Sequence, residues 1–292
     1  MIILNSNWSE YDLIDSGGGR RLERFGKYVL SRPDPQAIWK PRLNDSEWDK
    51  ADATFLIPEV KSEKGRWIKK TNIPERWSIG YEGLKIWVKL SSFKHTGVFP
   101  EQSGQWEWLQ ERIMINKSRF TNKLNILNLF AYTGIASLIC ARAGARVTHL
   151  DASKPSIQWA KENQITSGLK DASIRWILDD AIKFVNREVK RGVRYEGIIM
   201  DPPIYGHGPN GELWNFYDSF PQLLDLCKKV LSNKPLFVWV NAYAISASAL
   251  MLNNLLSDFH LSGEIECGEL ALKEKKSGRL LSTGIFSRWF AD

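Results

Sequence analysis

Cysteine is scarce in this 292-residue chain: there are three, Cys140, Cys227 and Cys267. An odd set at wide spacing excludes a disulfide framework and offers none of the paired spacings of a zinc site. It fits a reducing compartment, and the cytoplasm is the expected location. The four histidines show no ligand spacing either, so no metal is expected. The opening MIILNSNWSEYD has three apolar residues and soon turns acidic, unlike a signal peptide. Long apolar runs are also missing. The one charge-free stretch long enough to span a membrane, residues 235–256, contains Asn241, Ser246, Ser248, Asn253 and Asn254 and starts with the strand-like LFVWV. A buried strand followed by a helix is expected there, with no membrane partner.

What remains is an ordinary globular composition, 43% hydrophobic and 25% charged, which excludes wholesale disorder. The length favours about two domains and permits a substantial core. The net charge of +7 allows a polyanionic partner without requiring one. It is spread along the chain, with 18 basic and 16 acidic residues through Asn116 and 22 and 17 beyond it.

Residues 1–115 are rich in tryptophan and turn residues. The short runs YDLID, RRLERFGKYVLSR, ATFLI, GRWIKK and LKIWVKL predict a small β-rich domain. The pattern WEWLQERIMIN predicts a helix joining it to the remainder. Residues 116–292 alternate strands (LNILNLF, VTHLD, IRWIL, EGIIM, LFVWV) with helical segments, the signature of a parallel α/β sheet. GEIECGELALKE, KKSGR and LLSTGIFSRWF then read as a closing hairpin. The expected fold is α/β, a doubly wound, mostly parallel seven-stranded sheet with a C-terminal antiparallel hairpin, preceded by the β-rich region.

Such sheets bind ligands at the carboxyl ends of their strands, where strand order reverses. The first strand exits through Phe130-Ala131-Tyr132-Thr133-Gly134. Gly134 allows close backbone approach, and the helix after it offers free N–H groups to a carboxylate. The second strand ends at Asp151, suited to two ribose hydroxyls, with Ser153 capping the next helix. The third ends at Asp179-Asp180, where a carboxylate suits an exocyclic adenine amine. A nicotinamide dinucleotide needs a glycine-rich pyrophosphate cradle, and this turn has one glycine. S-adenosylmethionine has no phosphate and carries a positive sulfonium, so it is the expected cofactor.

The fourth strand exits through Asp201-Pro202-Pro203-Ile204-Tyr205, the most specific motif present. Consecutive prolines stiffen the exit, the carbonyls there suit a substrate amine, and Tyr205 offers a stacking face to a planar base. Methyl transfer is an in-line displacement in which alignment supplies most of the help. His207, in the glycine-containing segment GHGPNGELW, lies near the motif or is an exposed loop residue, and the glycines there suggest a mobile lid. At the fifth strand end, Asn241 either orients a base edge or is a polar strand end.

Together NLFAYTGIAS, HLDAS, DDAIKF and IIMDPPIY resemble the class I S-adenosylmethionine-dependent methyltransferases. They are most similar to the bacterial large-subunit ribosomal RNA enzymes that modify cytosine C5 or guanine N7. Residues 94–102, KHTGVFPEQ, are similar to that family's KTGFFLDQR segment. The resemblance implies that Phe130, Tyr132, Thr133, Gly134, Asp151, Asp180 and Asp201 line the cofactor pocket. It implies that Phe99 and Gln102 close one side, and that Pro202, Pro203 and Tyr205 face the acceptor. Two departures stand out: the family's separate N-terminal RNA-binding domain has no counterpart here, and Glu101 and Ser103 replace its motif acid and arginine. The C5 enzymes also carry a cysteine at the fifth strand end, where this chain has Asn241-Ala242-Tyr243. Carbon methylation needs that thiolate, so transfer to a nitrogen or oxygen is favoured. The expected partner is RNA, ribosomal RNA foremost. The other readings are a methyltransferase for a small molecule or protein side chain, and a non-catalytic adenosyl-binding protein.

Overall fold

The computed structural model describes residues 1–57, 65–92, 94–120, 122–243 and 246–291. The chain divides into two units. One comprises Met1–Ile3, Gln105–Leu270 and Gly284–Asp292, and the other Leu4–Gly104 and Ala271–Thr283.

From the amino terminus, β1 (Ile2–Leu4) is followed by β2 (Tyr11–Gly17), β3 (Arg20–Phe25), β4 (Tyr28–Pro33), the single turn α1 (Asp45–Trp48), β5 (Ala53–Leu56), β6 (Arg66–Lys69), β7 (Trp77–Tyr81) and β8 (Leu84–Val88). Strands β2 to β6 form a sheet in that order, antiparallel except for the β4–β5 pair, and β7–β8 is a separate hairpin. The strands read from the tryptophan-rich region are present. β7 was not expected.

This unit buries charge as well as apolar surface. Beside Tyr11, Leu13, Leu22, Phe25 and Leu30 lie Arg21, Glu23, Arg32, Asp34 and Glu101, all buried. Arg32 grips Glu23 with Nε and Nη2 at 2.7 and 2.8 Å. The Tyr11 hydroxyl donates to the same carboxylate at 2.8 Å, and Arg21 Nε lies 3.3 Å from it. Burial alone pushes the Glu23 carboxyl up, but the two guanidiniums outweigh burial and hold it below the usual range. Glu101, with less compensation, is pushed up by burial. Removing one partner of a buried ion pair typically costs about 3–5 kcal/mol, because the other charge is stranded. Glu23→Ala is therefore expected to destabilise the chain by about that amount in urea unfolding. Glu23→Gln, which keeps the side-chain volume and one acceptor oxygen for Tyr11 and Arg32, is expected to lose less.

The other unit follows with α2 (Ser103–Asn116), β9 (Asn125–Leu129), α3 (Ile135–Arg142), β10 (Arg146–Asp151), α4 (Lys154–Thr166), β11 (Ile174–Leu178), α5 (Ala181–Lys190), β12 (Gly197–Met200), β13 (Tyr205–His207), β14 (Leu213–Asn215), α6 (Phe216–Val230), β15 (Phe237–Ala242), α7 (Ala249–Ser257), β16 (Glu264–Lys273) and β17 (Leu280–Phe290). Its main sheet runs β1-β16-β17-β15-β12-β9-β10-β11, parallel from β15 through β11 and antiparallel at β15–β17. This is the expected α/β sheet with one strand added. The eighth is β1, beside β16; a Cβ on Gly268 would collide with the Met1 carbonyl, so glycine is what lets the two backbones meet.

Order reverses between β9 and β12, which fixes the switch point. On one face Leu127, Leu129, Ile198, Met200, Val238 and Val240 pack with α5, α6 and α7 residues such as Phe184, Phe220 and Leu252. α3 and α4 lie along β9, β10 and β11, and Trp108 of α2 meets Phe237 and Phe290. Residues 235–256 include the buried β15 and α7; among the described residues no helix is long and apolar enough to cross a membrane.

Candidate functional site

Register aligns the strand exits. Leu129 pairs with Leu150 and with Met200, Asp151 pairs with Leu178, and Met200 pairs with Val240. Phe130, Asp151, Asp201 and Asn241 therefore each follow a strand residue in one row, with Asp179 one step beyond it at the same edge. The sequence-predicted residues of this unit lie at or just beyond the carboxyl ends of β9, β10, β11, β12 and β15.

The first exit is a strained turn. Phe130 (φ 56°), Tyr132 (φ 49°) and Gly134 (φ 84°) all adopt left-handed backbone, a state costing about 1–3 kcal/mol for a non-glycine residue. The turn is held on every side. Ala131 N donates to the Leu150 carbonyl at 3.0 Å, Tyr132 N to Asp151 Oδ2 at 2.8 Å, and Asn163 Nδ2 to the Thr133 carbonyl at 3.0 Å. The Phe130 ring packs on Trp214 with centroids 4.7 Å apart. A Cβ on Gly134 would lie 2.9 Å from Ala160 Cβ, so positive φ and close packing both demand glycine.

Beneath the turn runs a buried polar chain. Asn128 Nδ2 donates to Ser137 Oγ at 2.9 Å, and Ser137 Oγ lies 3.0 Å from His149 Nδ1. Burial pushes the His149 pKa down to about 3, so the ring is neutral at ordinary pH. It rests against Trp176, and its Nε2 has no partner among the described residues.

Asp151 Oδ1 accepts from Ser153 N at 2.8 Å while Oδ2 holds Tyr132 N. It has no cationic partner among the described residues. Burial pushes its pKa up against the pull of the two N–H groups. A carboxylate desolvated in this way is matched to a ligand that brings hydroxyl donors or positive charge. Ser153 caps α4 through Ser156 N at 3.3 Å. Asp180 caps α5, with Oδ1 accepting from Lys183 N at 2.9 Å and Oδ2 left without a partner among the described residues. Asp179 N reaches the Asp151 carbonyl at 3.3 Å, and the Asp179 side chain pairs with Arg187.

The diproline exit is pinned by its neighbours. Trp214 Nε1 donates to the Pro203 carbonyl at 2.7 Å, and Phe216 N donates to the Ile204 carbonyl at 2.8 Å. Where glycines suggested a mobile lid, β13 and β14 form a ribbon in which Tyr205 faces Asn215, Gly206 faces Trp214 and His207 faces Leu213. Alternation buries Trp214 and turns Tyr205 and Leu213 outward, 70% and 80% exposed. Glu212 bonds Lys183 Nζ at 2.6 Å, which pulls the Glu212 pKa down to about 2.

Asn241 is buried: its Oδ1 accepts from Trp239 Nε1 at 2.6 Å, and its Nδ2 has no partner among the described residues. Cys140 and Cys227 are buried with thiols pushed well up, and Cys267 lies on β16. Phe99 and Gln102 belong to the β-rich unit, where Gln102 N closes a turn onto the Phe99 carbonyl at 3.0 Å. No group of three histidine, cysteine or acidic side chains that could hold a metal occurs among the described residues. Sequence reasoning missed Trp214, Asn163 and the Asn128–Ser137–His149 chain. GELW follows the diproline closely enough to flag Trp214, whereas Asn163 and His149 read only as polar residues on a helix and a strand.

A family model described as S-adenosylmethionine-dependent methyltransferase matches residues 59–254. The chain belongs to this family. The S-adenosylmethionine-dependent methyltransferase of Agrobacterium tumefaciens is 42% identical, with a TM-score of 0.93 over 100% of this chain and 94% of that one. A Streptococcus mutans structure described as a methyltransferase is 18% identical, with a TM-score of 0.69 over 97% of this chain and 76% of that one, a likeness of fold alone. The ribosomal RNA large subunit methyltransferase K/L of Shewanella frigidimarina is 30% identical over 227 residues, 72% of this chain. The chain spans 30% of the length of that relative.

This enzyme thus uses S-adenosylmethionine, and the uncompensated Asp151 carboxylate fits that ligand's hydroxyls and positive charge. Asp151→Ala is expected to weaken cofactor binding by about 1–3 kcal/mol, roughly five- to 150-fold, in calorimetry. Donors on the ligand favour ionised Asp151, so affinity is expected to fall on acidification. The fall is expected to begin above the ordinary aspartate range, near 3.9. Asp151→Asn is expected to flatten that acid limb.

Proposed function

We propose that this methyltransferase acts on RNA, ribosomal RNA foremost, and transfers its methyl group to a base nitrogen. The observation that carries the reading is the diproline exit, a rigid Asp201-Pro202-Pro203 turn whose next aromatic, Tyr205, is held outward on an anchored ribbon. A base presented there can stack on Tyr205 while its edge meets the Asp201 and Pro202 region. The Pro203 carbonyl already accepts from Trp214, which leaves it a smaller part. The ribosomal RNA relative supports the substrate class.

The bound cofactor supplies an activated methyl carbon on positive sulfur. The protein's part is to align it: the turn at Phe130, Tyr132, Thr133 and Gly134 borders the amino-acid end, with the first N–H groups of α3 toward its carboxylate, Asp151 and Ser153 serve the ribose, and Asp180 serves the adenine amine. Asp201 borders both ligands. Pro202, Pro203, Tyr205 and Asn241 serve the acceptor. With the methyl donor held there, an acceptor nitrogen aligned by these residues would take the methyl group on its lone pair and lose its proton to solvent. Ring-carbon transfer needs a thiolate, and the buried, proton-holding Cys140 and Cys227 argue against it. In this reading residues 1–115 serve recognition, residues 116–292 carry the transfer, and the enzyme works in the cytoplasm.

Mass spectrometry of RNA nucleosides from cells with and without the protein tests the substrate class. One methylated base is expected to vanish on deletion. Identical profiles would overturn the RNA reading, and labelled methyl groups in small metabolites or protein would then favour the alternative. Tyr205→Ala is expected to reduce transfer to RNA at least a hundredfold while cofactor affinity stays within twofold, measured by methyl incorporation and calorimetry.

A further inference from the structure

The net charge of the chain is modest, yet burial redistributes it. Among the described residues the β-rich unit has 19 basic and 13 acidic side chains. Five of the acids, Asp15, Glu23, Asp34, Glu101 and Glu274, are buried, against two of the bases, Arg21 and Arg32. Its surface therefore presents 17 basic groups against 8 acidic ones. The sheet-bearing unit presents 18 against 15, because it buries Arg288, Asp180 and Glu188. The positive surface of the enzyme lies mainly on the unit without the transfer site.

Within that unit the excess is concentrated in residues 65–94, with seven basic side chains and two acidic ones. Arg66 and Lys69 stand on β6, the edge strand, and Lys70 follows it; Lys85 stands on β8 and Lys89 just beyond it. All five are exposed. Trp67 Nε1 donates to the Ser91 carbonyl at 2.9 Å, which ties β6 to the chain leaving β8 and makes one surface of the two. Half-buried Trp67 and Trp87 lie among these cations, and the Arg76 guanidinium sits 4.3 Å over the Trp87 ring. Two of these lysines bond mainly to backbone: Lys70 Nζ donates to the Asp49 carbonyl at 2.8 Å, with the Asp49 carboxylate at 3.4 Å, and Lys69 Nζ donates to the Ile73 carbonyl at 3.2 Å. Interleaved cations and indoles suit a phosphate backbone with unstacked bases.

We infer that the β6–β8 surface, centred on Arg66, Lys69, Lys70, Lys85 and Lys89, is where the enzyme holds the phosphate backbone of its RNA. This rests on the RNA reading above and assigns its docking surface. The test uses the full chain and labelled, unmodified transcripts of large-subunit ribosomal RNA. Fluorescence anisotropy from 50 to 300 mM salt compares the wild type with two variants that each lose four positive charges. One carries Lys69→Gln, Lys70→Gln, Lys85→Gln and Lys89→Gln. The other carries Lys170→Gln, Lys190→Gln, Lys228→Gln and Lys229→Gln in the sheet-bearing unit. Wild-type melting temperature and S-adenosylhomocysteine affinity certify that each is folded.

The first variant is expected to bind at least tenfold more weakly at 100 mM salt. Its plot of log affinity against log salt is expected to be shallower by about 3, near 0.7 per lost phosphate contact. The second is expected to change less than twofold. Equal losses in both variants, or a loss in neither, would overturn the assignment and leave β6 an edge strand kept soluble by its lysines. If the wild type binds this RNA through the surface but no RNA nucleoside is methylated, the substrate reading fails instead.

Discussion

The carboxylate of Asp151 holds the site in shape. One oxygen takes the Tyr132 N–H and the other the Ser153 N–H, so a single side chain fixes the exit of β9 and the start of α4 together. The turn it holds contains two non-glycine residues in left-handed backbone, which no local preference would select. That strain persists because the surroundings over-determine it, through Leu150, Asn163 and the Phe130–Trp214 contact as well. The same carboxylate has no cationic partner among the described residues, and burial makes its charge costly. A carboxylate placed in this way suits a ligand with hydroxyl donors and a positive sulfur, which would relieve that cost.

The layer under the turn shows how the sheet supports this arrangement. Register sets Ile199, Asn128, His149 and Trp176 in one row across β12, β9, β10 and β11. Two of the four are polar, yet the row lies against α3, where an apolar core would serve stability better. Asn128, Ser137 and His149 satisfy one another in series and leave His149 Nε2 over. Holding the ring neutral keeps positive charge out of the layer below Gly134, whose missing Cβ brings the turn within van der Waals reach of His149 Cε1. Polar groups at this depth specify one arrangement of the turn, which a uniformly aliphatic layer would not.

The parallel strands were legible because each is a short apolar run followed by helical periodicity, and the acids at Asp151 and Asp180 fell at their ends. Less was legible where the decisive contact is distant or the local signal contrary. Helix α6 begins at Phe216, capped by Asn215, but Pro221 within it breaks the helical pattern and hid its first turns. Ribbon β13–β14 has three residues a side amid glycines, too short to show alternation. Strand β1 exists because the chain start pairs beside Gly268, some 265 residues later. The charge asymmetry was invisible for a related reason. Counted along the sequence the bases are evenly spread, and only burial of five acids, together with the grouping of residues 271–283 with the amino-terminal unit, separates the two surfaces.

Alignment is what the enzyme must supply, since the methyl group arrives activated. An in-line displacement tolerates little error in the angle at carbon, and well-oriented reactants gain about 7–11 kcal/mol over free encounter. Two loops from different strands must therefore keep their relation while ligands come and go. Trp214 supplies that relation: its ring packs on Phe130 of the first exit while its Nε1 holds the Pro203 carbonyl of the fourth. The prolines remove local freedom on one side, and the over-determined left-handed turn removes it on the other. One tryptophan thereby joins the first and fourth strand exits. A substitution there would loosen their geometry before it weakened either binding event, which distinguishes a positioning residue from one that touches the ligands.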